Sequence, residues 1–142
     1  MSANRFVCCL KYGTLYSADY VNVLYNAARK AMHGPFRFIC LTDCAEGLTP
    51  GIEALPIPNL GLSPQDWFVG GVWPKLGIYD RYFHGLKGRM LFIDLDMMIV
   101  SDLDSFFDLP GQFIGIDAGS GWGNPNTNVK PELGSALVAF DI

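Results

Sequence analysis

Apolar residues come along this chain in short blocks, with turn-forming residues between them. Phe6 to Leu10 is an apolar run of strand length, and Phe36 to Leu41, closed by Thr42-Asp43, is a second. Between them Val21, Leu24, Ala28 and Met32 recur at helical spacing. Ser17 or Asp19 can cap the start of that helix, Arg29, Lys30 and His33 suit the negative end of its dipole, and Gly34-Pro35 stops it. Ile52 to Leu55 is a weaker third strand. Strand, helix, strand in this order opens a parallel α/β sheet.

The second half is less regular. Pro56 to about Val72 shows no period, and a loop of that length in a small domain is usually functional or mobile. Its Trp67 and Phe68 suit either stacking on a base or sugar, or packing on the core as an aromatic lid. A helix is predicted from Pro74, with Leu76, Tyr79 and Phe83 on one face and Gly85 and Gly88 at its end. Arg89-Met90-Leu91-Phe92-Ile93 then reads as a buried fourth strand, and Met97 to Val100 as a short strand or extended turn. Ser101-Asp102 can cap a brief helix through Phe106-Phe107, and Phe113 to Ile116 is a strand ending in Asp117. The glycines of Gly119 to Asn128 read as a plain loop rather than an anion cradle. Leu137 to Ile142 is a last buried strand. Because the sequence stops inside it, the natural domain is expected to continue.

Composition narrows the classes. At 142 residues, half of them hydrophobic and 17% charged, the chain suits one compact α/β domain. A net charge of −4 with no Lys/Arg cluster gives no footprint for nucleic acid or an anionic membrane. No apolar run approaches the roughly 18 residues of a membrane span, and the N-terminus lacks a signal-peptide pattern, so a cytoplasmic protein is expected. Cys8 and Cys9 are strand neighbours facing opposite ways, and Cys40-x-x-x-Cys44 alone is a weak chelating pattern. The four cysteines are expected to be buried free thiols rather than a zinc site.

The chemistry concentrates at Asp94-Leu95-Asp96, where two carboxylates follow an apolar strand. Desolvating them is costly unless a cation or hydrogen bonds hold them. Hard oxygen ligands favour Mg²⁺ or Mn²⁺, ions that keep positions open for water and phosphate. Along an extended strand the two residues are roughly 6.5 Å apart, too far for both to grip one ion. One is then expected on the metal and the other near it or on substrate; the alternative is a pair of aspartates that cap the following turn. Lys75 in the first turn of its helix opposes the dipole unless a phosphate binds there, or its ammonium simply extends into solvent. Lys11, Asp43 and Asp94 all fall at carboxyl ends of predicted strands, where ligands of parallel sheets sit. His33 and His84 read as surface residues at helix ends.

Taken in order, Trp73-Pro74-Lys75-Leu76, the strand into Asp94-Leu95-Asp96, and Val100-Ser101-Asp102-Leu103-Asp104-Ser105-Phe106-Phe107 resemble nucleotide-sugar glycosyltransferases of the GT-A fold, including glycogenin-like ones. The front end, with Lys11-Tyr12-Gly13, Tyr16, Tyr20-Val21-Asn22, Gly34-Pro35-Phe36 and Thr42-Asp43, is similar to a little-characterised bacterial branch of them. The resemblance spans roughly residues 5 to 141. It implies a Rossmann-like GT-A nucleotide-sugar domain over residues 1–142, a mostly parallel sheet flanked by helices and truncated at its C-terminus. It implies transfer from a nucleoside-diphosphate sugar, a UDP-sugar above all, to a glycan, lipid or protein acceptor, assisted by Mn²⁺ or Mg²⁺. On this resemblance Asp96 ligates the metal, Asp94 contacts the ribose or the metal site, Lys75 lies near the phosphates, and Leu10, Lys11, Tyr12 and Tyr16 hold the base. Gly134-Ser135-Ala136 departs from the Asn-Ser-Gly-like segment usual there, and a further metal ligand and most acceptor-binding residues lie downstream in relatives. Two rivals follow: a nucleotide-sugar-binding module without catalysis, and an aspartate-nucleophile phosphatase, against which Met97-Met98 stand where Gly-Thr is usual.

Overall fold

A computed structural model of the chain describes residues 4–63, 73–117 and 133–142. Six strands form one sheet: β1 (Arg5–Lys11), β2 (Arg37–Thr42), β3 (Ile52–Leu55), β4 (Arg89–Ile93), β5 (Phe113–Asp117) and β6 (Leu133–Asp141). Their order across the sheet is β3-β2-β1-β4-β6-β5. β1 pairs in parallel with β2 and β4, and β2 with β3, while β6 runs antiparallel between β4 and β5. The chain is therefore an α/β protein with a mixed, mostly parallel sheet. Only β6 is reversed, so β1 to β5 present their carboxyl ends along one edge and β6 begins there.

Both faces of the sheet are covered, and the strand period of two sorts the residues between them. Helix α1 (Ala18–Ala31) lays Val21, Leu24 and Ala28 on one face, over Val7, Cys9, Phe38 and Leu91. Met32, just past the helix, is buried there as well. Ser17 is the cap residue but makes no side-chain cap bond, so packing rather than capping fixes this helix. The opposite face, with Phe6, Cys8, Met90 and Phe92, is covered by Ile78 and Phe83.

The segment Trp73–Tyr79 differs from expectation. It is a 3-10 helix, separated from a second short 3-10 turn at Phe83–Gly85. Leu76 and Tyr79 stand 41% and 46% exposed, whereas Ile78 and Phe83 are sealed. A 3-10 helix eclipses residues three apart, so Leu76 and Tyr79 share one side and Lys75 and Ile78 the next, towards the sheet. Tyr79 still reaches the Phe140 ring at 5.2 Å between centroids.

Other expectations are met or shifted by a residue or two, except that β6 begins at Leu133, four residues before the expected Leu137. Met97 to Val100 forms no ladder, and α2 (Asp104–Asp108) is the brief helix expected before β5. Arg89 is buried because its guanidinium donates to Gly111 O, Leu109 O and the Asp141 carboxylate. Cys8, Cys9 and Cys40 are buried free thiols, but Cys44 is exposed, which corrects the expectation for that residue. Trp67, Phe68 and the Gly119 to Asn128 stretch lie outside the described residues. Among the described residues no helix is long and apolar enough to cross a membrane.

Candidate functional site

Strand order reverses at β1: the chain leaves it through α1 to β2 and β3, then returns on its other side as β4. The two connections cover opposite faces, so a crevice opens between the carboxyl ends of β1 and β4, the usual ligand position in such sheets. A cavity of about 370 Å³ lies there, lined by Leu10, Tyr12, Leu15, Tyr16, Lys75, Asp94, Leu95 and Asp96. That volume falls in the range of roughly 300–1,000 Å³ found for small-molecule sites. Its wall is aromatic and aliphatic on the β1 side and charged on the β4 side.

Local contacts set the walls of the cavity. Asp43, just past β2, accepts a hydrogen bond from Gly13 N at 2.9 Å and ties down the turn after β1. Gly13 adopts φ +62°, a conformation that favours glycine. Tyr16 packs its ring edge-on to Tyr20 at 4.9 Å. β4 ends at Ile93, where Asp94 N donates to Ala136 O, and Met97 N then donates to Asp94 O at 3.2 Å. The acid pair therefore sits in a tight turn rather than along a straight strand. Leu95 turns inward, Asp94 is half-buried and Asp96 is exposed.

Lys75 neither points into solvent nor waits free for a phosphate. Its ammonium donates to both Asp94 oxygens, at 2.8 and 2.9 Å, lies 3.5 Å from Ser135 Oγ, and sits 5.0 Å from the centroid of the Phe92 ring. Burial pushes the Asp94 carboxyl above its ordinary value, Lys75 pulls it down, and the charge of Asp96 adds to the rise. Burial prevails. Asp96 has no hydrogen-bond or ion-pair partner among the described residues.

Of the residues expected at the site, Leu10, Tyr12, Tyr16, Lys75, Asp94 and Asp96 meet in this cavity. Lys11 does not line it. It is 6% exposed and, by strand alternation, faces the α1 side, where its charge adds to a hydrogen bond with Cys9 in lowering the Cys40 thiol. Sequence reasoning missed Leu15, an exposed aliphatic residue at the cavity mouth, and Ser135 beside Lys75.

A second polar group was missed as well. His33 Nδ1 and carboxylate oxygens of Asp102 and Asp104 lie within 4.8 Å of one another, a grouping able to hold a metal ion. Its oxygens already have partners: Arg5 donates to Asp104 at 2.7 Å, His33 N to Asp104 at 2.8 Å, and Asp104 N to Asp102 at 3.2 Å. His33 follows the C-terminus of α1, at the amino edge of the sheet, roughly 17 Å or a strand's length from the crevice. His84 is engaged elsewhere, with Nε2 2.9 Å from Pro56 O, the carbonyl just after β3. A larger groove of about 640 Å³ follows the outer side of α1, but Lys30 and Asp102 are the charged residues in its lining. The smaller cavity is the better candidate because its polar groups converge.

The fit of a divalent cation to the acid pair is partial. Asp96 offers a free carboxylate, while both oxygens of Asp94 are committed to Lys75. No protein-family profile matches the sequence, and a search of curated proteins finds no match.

Proposed function

We propose that the crevice binds a nucleoside-diphosphate sugar, a UDP-sugar above all, and that the chain is the nucleotide-binding part of a metal-assisted glycosyltransferase with a Rossmann-like GT-A domain. One observation carries the reading. Leu10, Tyr12, Tyr16, Lys75, Asp94 and Asp96, separated by up to 86 positions (96 minus 10), line one cavity at the point where strand order reverses. A sheet of this class puts ligands there for geometric reasons that do not depend on the resemblance.

In this reading the aliphatic and aromatic side chains after β1 receive the base and ribose. The charged wall after β4 receives the diphosphate. Asp96 would hold Mn²⁺ or Mg²⁺, with Asp94 beside it. When bound, the cation supplies Lewis-acid neutralisation of the leaving diphosphate. Lys75 adds a fixed positive charge to the same group, and its place in a partly dry site strengthens that attraction. The acceptor, a glycan, lipid or protein, approaches from the open side, and a cytoplasmic setting belongs to the same reading.

A thermal-shift panel of nucleoside diphosphates and their sugars, with and without Mn²⁺, tests the proposal. Stabilisation should appear with UDP or a UDP-sugar and Mn²⁺ together, rising with ligand concentration as binding to the native state requires. Asp96→Asn should abolish the Mn²⁺-dependent part and leave the unliganded melting temperature nearly unchanged. Unaltered Mn²⁺-dependent UDP affinity in that variant defeats the assignment. Binding without sugar transfer or hydrolysis would assign the binding module alone.

A further inference from the structure

We infer that Lys75 is the resident counter-ion of Asp94, and that this pairing makes the acid pair accept a divalent cation only together with a diphosphate. The inference rests on the reading above, that the crevice takes both.

The geometry of Lys75 is that of an occupant. One ammonium bridges both oxygens of Asp94, at 2.8 and 2.9 Å, so that carboxylate is already neutralised. The lysine is not a loosely tethered charge. Its side chain is 15% exposed, its head sits over the Phe92 ring, and Ile78, one 3-10 turn further on, is locked into the core below.

A divalent cation arriving alone meets one free carboxylate, on Asp96, and a fixed positive charge beside the other. Mg²⁺ and Mn²⁺ are held by carboxylates together with water and substrate phosphates, and one exposed carboxylate is a weak site. A diphosphate changes both terms. It gives Lys75 a second anionic partner, which loosens its hold on Asp94, and it brings oxygen ligands of its own. Each ligand then raises the affinity of the other by the same factor. Lys75 is thus a positioning residue that favours the cation–diphosphate complex over either component.

The test is Mn²⁺ binding to the full chain, followed by the electron paramagnetic resonance signal of free Mn²⁺, with UDP as the second ligand. The Mn²⁺–UDP association measured without protein is subtracted. In the wild type, UDP should tighten Mn²⁺ binding at least tenfold. Lys75→Gln should bind Mn²⁺ alone at least tenfold more tightly than the wild type, and UDP should then tighten it by a smaller factor than in the wild type, through its own oxygen ligands only. Lys75→Arg, which keeps the charge and can fork onto the carboxylate, should behave like the wild type. Mn²⁺ affinity in the wild type that ignores UDP overturns the inference, while joint binding of the two keeps the proposed function. A folded Lys75→Gln chain that binds Mn²⁺ alone no more tightly than the wild type also overturns the inference, and the wild-type titration can still overturn it if that variant fails to fold. Failure of Mn²⁺ and UDP to bind the wild type together removes the proposed function, and the inference falls with it.

Discussion

Ile78 anchors the segment that delivers Lys75, and replacing it by alanine tests whether packing on the sheet sets the geometry of the crevice. Ile78 is fully buried, among Phe83, Met90, Phe92 and Phe140. Truncation removes three carbon groups, about 2.4 kcal/mol at ~0.8 kcal/mol each. If roughly 40 Å³ of the vacated space stays open, the cavity adds about 1 kcal/mol at ~24 cal/mol per Å³. The sum is about 3.4 kcal/mol. Leu76, two residues earlier, is 41% exposed and faces away, so Leu76→Ala should cost about 1 kcal/mol. Urea unfolding followed by tryptophan fluorescence reads the difference. With a slope near ~2 kcal/mol per M, the two midpoints should lie about 1 M apart. Ile78→Ala should also weaken Mn²⁺–UDP binding under conditions where the variant remains folded, and Leu76→Ala should not. Equal midpoints would refute the 3-10 register. An Ile78→Ala protein that is less stable but binds normally would refute the link between this anchor and Lys75.

Two further outcomes follow from named contacts. In metal-free buffer, a double-mutant cycle of Lys75→Met and Asp94→Asn should give a coupling of about 1–2 kcal/mol, between the values for exposed and buried pairs because Asp94 keeps 31% of its side-chain exposure; a coupling near zero would show that the pair is not formed in solution. The hydrogen bond to Asp104 raises the His33 imidazole above 6.5, so its stabilising contribution is complete below pH 6.5 and is lost as pH rises through the raised value. With chelator present, melting temperature should therefore fall more steeply above pH 6.5 in the wild type than in His33→Gln, and parallel profiles would dismiss this role.

What the sequence revealed and what it hid have separate physical causes. β1 and α1 were legible because each is an apolar block of the right period between turn-forming residues, and burial followed at Phe6 to Cys9 and at Val21, Leu24 and Ala28. Most of the site was legible because residues just after strands gather at one edge once the strands are parallel. The face of Trp73–Tyr79 was hidden, since a 3-10 turn and an α-helix place the same residues differently and local sequence does not choose between them. The reversed direction of β6, the turn at Asp94 to Met97 and the hold of Lys75 on Asp94 depend on contacts between distant segments. Lys11 misled for a simpler reason. A charged residue at a strand end invites a functional role, yet strand alternation sends its side chain to the α1 side of the sheet.

Cys44 lies two residues past β2, next to the Asp43 that tethers the turn at the crevice, and it is the exposed one of four thiols. With Cys8, Cys9 and Cys40 sealed in the interior, a thiol-directed fluorophore added to the folded wild-type chain should react at a single position. The protein thus carries a native attachment point for an optical reporter next to the residue that tethers the turn after β1, and ligand occupancy can be followed without introducing or removing a cysteine.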